Sequence, residues 1–318
     1  MPEWLIERGI GETRAMLVED GEIVEARIQL EGVMTSGSVI HARLTKVGPN
    51  GRNAVATDES GIEYLLPRGA PGVAEGAPLN IEVTREAIPG AEPWKRPLAK
   101  MTNEPVGAVR ALQGDELPFP APQDRFAETG WNDVLEEARS GIVRFPGGEL
   151  RISPTPAMTL IDVDGALAPE DLVIRGAAEA AKAIRRLDIG GSIGIDLPTS
   201  GSKATRQKGG KAIDQQLPQP FERTAVNGFG FVQIVRPRRR ASLVELAQDR
   251  AAFEARALLR RAAFEPAGAT RLVAHPAVTA VLERHKDWTE ALSRQLGGRI
   301  ELRGDATLPI SAGYAEKL

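Results

Sequence analysis

Apolar and polar residues alternate in short runs along the first hundred positions, the period of half-buried strands. Arg14–Val18 and Ile23–Leu30 flank Glu19-Asp20-Gly21-Glu22, a glycine-bearing spacing that predicts a hairpin. Ser38–Val47 alternates in part, with Val39, His41, Arg43 and Thr45 set against Ile40, Ala42 and Leu44. The turn Gly48-Pro49-Asn50-Gly51 follows, and strands are predicted at Asn53–Thr57, Ile62–Leu66, Leu79–Arg85 and Pro97–Met101. Five strands in about seventy residues, with a longer break between the third and the fourth, predict a small OB-type barrel. Such barrels commonly bind single strands on one face.

Residues 103–123 carry four prolines and little periodicity, so they read as a linker. Helical spacing returns over Asp124–Ser140, with Phe126, Trp131, Val134, Leu135 and Ala138 on one stripe. Gly147-Gly148 predicts a turn between strands Ile142–Phe145 and Glu149–Ile152. Ala157–Val163 is an apolar strand ending in acid, and Leu172–Leu187 is a helix with its stripe at 173, 177, 180, 184 and 187. Asp188-Ile189-Gly190-Gly191 stops that helix, and Ser192–Leu197 is a second apolar strand closed by Pro198. A strand–helix–strand crossover of this length makes the two strands parallel and neighbouring. Further on, 224–235 reads as a strand interrupted by Gly228 and Gly230. Ser242–Phe264 and Pro276–Gln295 read as helices, Arg299–Arg303 as a strand, and the tail as coil.

Length then sets the scale. With 318 residues and 42% hydrophobic content, two or three cores of roughly 100–150 residues each are expected. The net charge of −3 argues against a polyanionic partner, but its distribution argues for one. Between Gly201 and Arg240 nine Lys or Arg face only Asp214 and Glu222, an excess of seven that leaves −10 for the remainder. Cysteine is absent, which removes disulfides and thiolate chemistry and fits a reducing cytosol. The three histidines, at 41, 275 and 285, are too scattered for a histidine-pair mechanism. No apolar run approaches the roughly twenty residues of a membrane span. Glu3 and Glu7 spoil any signal-peptide form, so a cytoplasmic location without membrane contact is expected.

Any chemistry therefore falls to carboxylates, hydroxyls and cations. Asp162 and Asp196 fall at the predicted ends of parallel neighbouring strands, where open α/β sheets place ligands. Two carboxylates about 4.8 Å apart repel unless a cation lies between them, and an all-oxygen, partly hydrated set suits Mg²⁺. Asp164 points to the same side two residues on, as a third ligand or an outer acceptor. Such acids serve equally as helix caps and solvated turns. The basic block forms two clusters, Lys203, Arg206, Lys208 and Lys211, then Arg236, Arg238, Arg239 and Arg240. Gly201, Gly209 and Gly210 make the first read as a flexible loop able to close on a sugar–phosphate backbone, against the plainer role of a solvated face. Trp94, Lys95 and Arg96 offer a stacking surface beside cations, although 4% aromatic content rules out extensive stacking. Neither a Walker-type loop nor a G-x-G-x-x-G fingerprint follows a predicted strand, which weakens a nucleotide-binding reading.

Three segments carry a family likeness. AMTLIDVDGA (157–166) resembles the strand of ribonuclease E/G proteins that ends in their first metal-binding aspartate. RRLDIGGSIGIDLPT (185–199) resembles the segment bearing the second, and TAVNGFGFVQIVRPRRRASL (224–243) their later strand and basic ending. The resemblance implies an α+β multidomain protein. An OB-fold barrel (34–102) would interrupt a split RNase H-like subdomain (1–33 plus 124–155). After the linker 103–123, a DNase I-like α/β catalytic domain (156–250) and a small C-terminal α/β domain (251–318) would follow.

The likeness also implies Mg²⁺ held by Asp162 and Asp196 and hydrolysis of single-stranded RNA in RNA processing or decay, leaving 5′-phosphate and 3′-hydroxyl ends. It places Asp164 where the family usually has asparagine, and matches Lys95 to a barrel lysine that contacts RNA. Only Tyr64 is offered near the two stacking phenylalanines of the family. The 5′-monophosphate sensor region and the zinc-sharing cysteines have no counterpart, so the expectation is an enzyme without end sensing, and any homodimer would form without a zinc link. The competing expectation is a catalytically impaired RNA-binding relative, an RNA chaperone or regulatory subunit.

Overall fold

The computed structural model describes residues 3–89, 95–109 and 112–318. It is a multidomain α+β protein with several sheets, one of them a small closed five-stranded barrel. The chain divides into two compact units, one from Met1–Glu31, Leu112–Arg139 and Leu246–Leu318, the other from Gly32–Ala111 and Ser140–Glu245.

Strands β1 (Glu3–Arg8), β2 (Glu12–Glu19) and β3 (Glu22–Leu30) form an antiparallel meander. The predicted β2–β3 turn is present, with Asp20 and Gly21 both at positive φ (52° and 83°), the two left-handed residues that match strand twist. β1 was not legible because polar residues at both ends mask its core, Leu5 and Ile6.

The barrel consists of β4 (Val39–Lys46), β5 (Ala54–Thr57), β6 (Glu63–Leu66), β7 (Pro78–Arg85) and β8 (Leu98–Thr102). It closes in the order β4-β5-β6-β8-β7, an OB-like arrangement. Leu44, Ala54, Ala56, Tyr64, Leu66, Ile81 and Val83 fill its interior.

The expected linker 103–123 holds a strand, β9 (Asp115–Leu117), which pairs in parallel with β1. Helices α1 (Arg125–Glu128) and α2 (Trp131–Ser140) bury the five predicted stripe residues and break between them at Gly130. β10 (Ile142–Phe145) and β11 (Gly148–Pro154) form the predicted hairpin. Expected to belong with residues 1–33, this hairpin instead pairs along β11 with β12 (Thr159–Gly165). α3 (Pro169–Arg186) leads to β13 (Gly191–Asp196), α4 (Lys203–Gln216), β14 (Glu222–Arg223) and β15 (Phe231–Arg236). The six strands run in the order β10-β11-β12-β13-β15-β14.

The remaining elements are α5 (Leu243–Leu246), α6 (Arg250–Ala262), β16 (Thr270–Ala274), α7 (Pro276–Arg284), α8 (Lys286–Leu296), β17 (Ile300–Gly304) and β18 (Tyr314–Lys317). Both long predicted helices are broken, the first before the Asp249 cap and the second at His285, and the coil tail is in part the strand β18 on β16. This C-terminal segment shares a core with the N-terminal sheet's surroundings: Ile10 and Phe119 pack against Leu258, Leu272, Leu282 and Trp288. Charge reinforces the joint, since Glu12 of β2 receives Arg256 (3.3 Å) and Arg260 of α6. Paired in this way, buried charges are tolerated where single ones are not.

Among the described residues no helix is long and apolar enough to cross a membrane.

Candidate active site

The six-stranded sheet has two unlike faces. Ile161 and Val163 of β12, Ile193 and Ile195 of β13, and Val232 and Ile234 of β15 point one way and are buried. α3 covers that face with Leu172, Val173, Ala177, Ala180 and Ile184, close enough that a side chain at Gly176 would collide with Val163. The alternate residues point to the other face. There Asp162, Asp164 and Asp196 are exposed.

β12 and β13 are parallel neighbours in the register Leu160↔Gly194, Ile161↔Ile195, Asp162↔Asp196. The two aspartates are therefore side by side on the open face, on strands about 4.8 Å apart. Asp196 is the last residue of its strand as expected, whereas Asp162 lies inside β12, which continues to Gly165. The same transverse row extends outward to Arg151 on β11 and Phe231 on β15. Arg151 does not neutralise Asp162; its guanidinium donates to Glu149 (2.6 Å). Among the described residues neither Asp162 nor Asp196 has a hydrogen-bonding or ion-pairing partner for its carboxylate.

Asp164 does not join the pair. Its carboxylate accepts from the Gly165 amide (2.8 Å), and among the described residues no three His, Cys, Asp or Glu side chains lie close enough together to hold a metal ion. The donor set is two carboxylates. That set fits Mg²⁺, which keeps several waters and binds through one or two carboxylates together with substrate phosphate oxygens.

The basic block looks different in three dimensions. Lys203, Arg206, Lys208 and Lys211 lie on α4, a capped helix rather than a flexible loop. Gly209 and Gly210 are buried, the first where a Cβ would press on Val173 of α3 and the second where a Cβ would lie 3.0 Å from the Arg223 guanidinium. Ser202 caps α4 by accepting from the Thr205 amide (3.1 Å). Lys203, Lys208 and Lys211 are exposed and, among the described residues, unpaired. Arg206 is partly buried and donates to the Ser200 carbonyl (2.6 Å).

In the second cluster three cations are already engaged. Arg236 donates to the Ile184 (3.4 Å) and Ile189 (3.3 Å) carbonyls at the end of α3. Arg238 pairs with Glu245, and Arg240 lies 3.8 Å from Asp188. Of the four, Arg239 is exposed and, among the described residues, without an ion pair, its carbonyl accepting from the Glu86 amide (2.8 Å) of the barrel side.

On the barrel, Tyr64 is a core residue, 1% exposed, with its hydroxyl donating to Asp58 (3.2 Å). Burial, reinforced by Asp58, pushes its phenol well above the ordinary range. It cannot stack on a base. Arg96 pairs with Glu63 (2.6 Å) and Lys95 donates to the Pro156 carbonyl (3.2 Å), both at the surface. Trp94 lies outside the described residues.

Phe229, not among the residues expected at the site, is 81% exposed. It sits at the tip of the loop between β14 and β15, within the stretch 224–235 expected as a strand interrupted by Gly228 and Gly230. Gly228 and Gly230 on either side of an aromatic were the available signal, since paired glycines mark a tip more often than a strand.

No protein-family model matches the chain, and no curated protein matches it.

Proposed function

We propose that the chain is a Mg²⁺-dependent endoribonuclease acting on single-stranded RNA, with Asp162 and Asp196 as the metal-holding pair. One observation carries this reading: two carboxylates, unpaired among the described residues, stand in direct register on adjacent parallel strands, on the open face of the sheet. Like charges placed opposite each other destabilise a sheet. A pair with no structural partner has a reason to persist if a cation joins it. The likeness of 157–166, 185–199 and 224–243 to ribonuclease E/G proteins points the same way, as does an OB-like barrel in the same unit. On this reading the six-stranded sheet with α3 and α4 is the DNase I-like catalytic part.

The chain's own groups have distinct tasks. Asp162 and Asp196 hold the ion, which when bound supplies Lewis-acid stabilisation at a phosphodiester and lowers the pKa of water. Lys203, Lys208, Lys211 and Arg239 are exposed and, among the described residues, without an ion pair, which leaves them available to contact phosphates of a bound strand. Arg236, Arg238 and Arg240 hold the sheet edge and the end of α3 instead. Asp164 accepts hydrogen bonds at the margin of the site. Incubating labelled single-stranded RNA with the protein in Mg²⁺ and in EDTA tests the proposal. Internal cuts in Mg²⁺ alone support it, and cleavage indifferent to EDTA, or none at all, refutes it. With no counterpart of the sensor region, RNAs bearing 5′-monophosphate, triphosphate and hydroxyl ends are cut at similar rates.

A further inference from the structure

Phe229 is held, not slack. Asn227 accepts with its side-chain oxygen from the Phe229 (2.9 Å) and Phe231 (3.1 Å) amides. The Phe229 carbonyl accepts from the Thr199 hydroxyl (3.2 Å), and the Gly230 carbonyl from the Leu197 amide (3.3 Å). Gly230 has φ 92°, and a Cβ there would collide with the Leu197 carbonyl. The tip is thus fastened to residues 197–199, immediately after Asp196, while Phe231 faces Asp196 across the strands. These hydrogen bonds fix the main chain of a residue whose ring buries almost nothing. Fixing a chain costs entropy, and a fully wet phenyl ring recovers little of it.

The chemistry around the ring identifies what it meets. The groups that hold its loop are polar, Asn227 and Thr199, and the nearest strand end carries an acid. A single rigid aromatic in a polar frame suits a flat ligand with polar edges better than an apolar protein face. Nucleobases meet that description, and base–aromatic stacking is sequence-tolerant because every base has a π-face. We infer that Phe229 is a base-stacking residue that seats one nucleotide of the RNA strand whose phosphate lies at Asp162 and Asp196. The inference rests on the proposed RNA site and adds to it a contact that seats one base without selecting among bases.

The test uses the full chain in EDTA, so that no RNA is cut, and single-stranded oligoribonucleotides carrying 2-aminopurine at one position at a time. The expected result is fluorescence quenching at one register of the bound strand. Phe229→Ala abolishes that quenching and weakens binding roughly five- to hundredfold, the range found for losing one base stack. Phe229→Trp restores both. Because the ring is solvent-exposed, the alanine variant keeps its fold, which its unchanged Tm verifies.

Quenching and affinity unaffected by Phe229→Ala overturn the inference, as does a wild-type chain that binds none of the oligonucleotides. A variant that changes oligomeric state while binding RNA normally also overturns it, assigning the ring to a protein contact. The two readings separate cleanly. Phe229-dependent quenching without Mg²⁺-dependent cleavage keeps the stacking residue and removes the nuclease. Cleavage with Phe229→Ala behaving as wild type does the reverse.

Discussion

Asp162 on β12 is the register partner of Asp196 on β13, both exposed and neither paired among the described residues. Without a cation this contact is repulsive, so Asp196→Asn should stabilise the protein in EDTA by about 0.2–1 kcal/mol, the scale of a cross-strand pair. Adding Mg²⁺ should raise the Tm of the wild type and leave that of Asp196→Asn nearly unchanged, because only a chain that binds the ion gains from it. Calorimetry of the two proteins with and without Mg²⁺ decides this. A stability loss in EDTA equal to a core substitution would mean that the carboxylate has a structural task.

The cations divide by salt dependence. Lys203→Ala and Lys208→Ala on α4 should each weaken RNA binding. Each should also reduce the slope of log affinity against log salt by about 0.7, the share of one phosphate on a single strand. Arg236→Ala should lower stability instead, since it uncaps the Ile184 and Ile189 carbonyls, and should leave that slope alone. Binding titrations at several salt concentrations distinguish the two kinds. Equal slopes for all variants would remove α4 from the RNA interface.

Gly230→Ala reports on the loop that follows Asp196. Its left-handed φ and the abutting Leu197 carbonyl leave no room for a methyl group. The variant should lose more than about 1 kcal/mol in denaturant titration, since alanine is strained there. It should also lose cleavage beyond what its unfolded fraction explains. Wild-type cleavage from a folded Gly230→Ala protein would show that this loop does not position the site.

Acid should loosen α4. Hydrogen bonds from Arg223 (2.7 and 2.6 Å) hold the Asp214 carboxyl below its ordinary value of 3.8. A depressed folded pKa gives stability that is present above the unfolded value and is lost as pH falls through the folded one. The stability gap between wild type and Asp214→Asn should therefore be constant above about pH 4 to 5 and close below 3.8. Because the Asp214 side chain is 48% exposed, solvent screening keeps the gap small. A gap that widens in acid contradicts the assignment.

Local pattern made β12, α3 and β13 readable: the predicted stripe at 173, 177, 180, 184 and 187 is buried, and the crossover length fixed the parallel pairing. That was enough to bring Asp162 and Asp196 together. It was not enough for α4, where Gly209 and Gly210 read as loop formers. Their small size serves helix packing instead, against Val173 and Arg223. Nor can a cation's spacing reveal its partner: Arg238 and Arg240 meet Glu245 and Asp188, and Arg236 meets carbonyls some fifty residues earlier. Tyr64 illustrates the reverse, since strict alternation with Leu66 already turned it inward, and family position had suggested an RNA contact. The hairpin 142–154 was legible but its pairing with β12 was not, because strand order is set by contacts distant in sequence.

Cleavage of labelled single-stranded RNA in Mg²⁺ by Asp162→Asn and Asp196→Asn, beside RNA binding in EDTA, bears most directly on the site. Each variant should cut at least about a hundredfold more slowly, the scale of losing one transition-state electrostatic contact. Each should bind RNA as well as the wild type or more tightly, having shed a negative charge beside the phosphates. Wild-type cleavage by either variant, or a loss that follows binding and folding rather than chemistry, would contradict a shared ion between these two carboxylates.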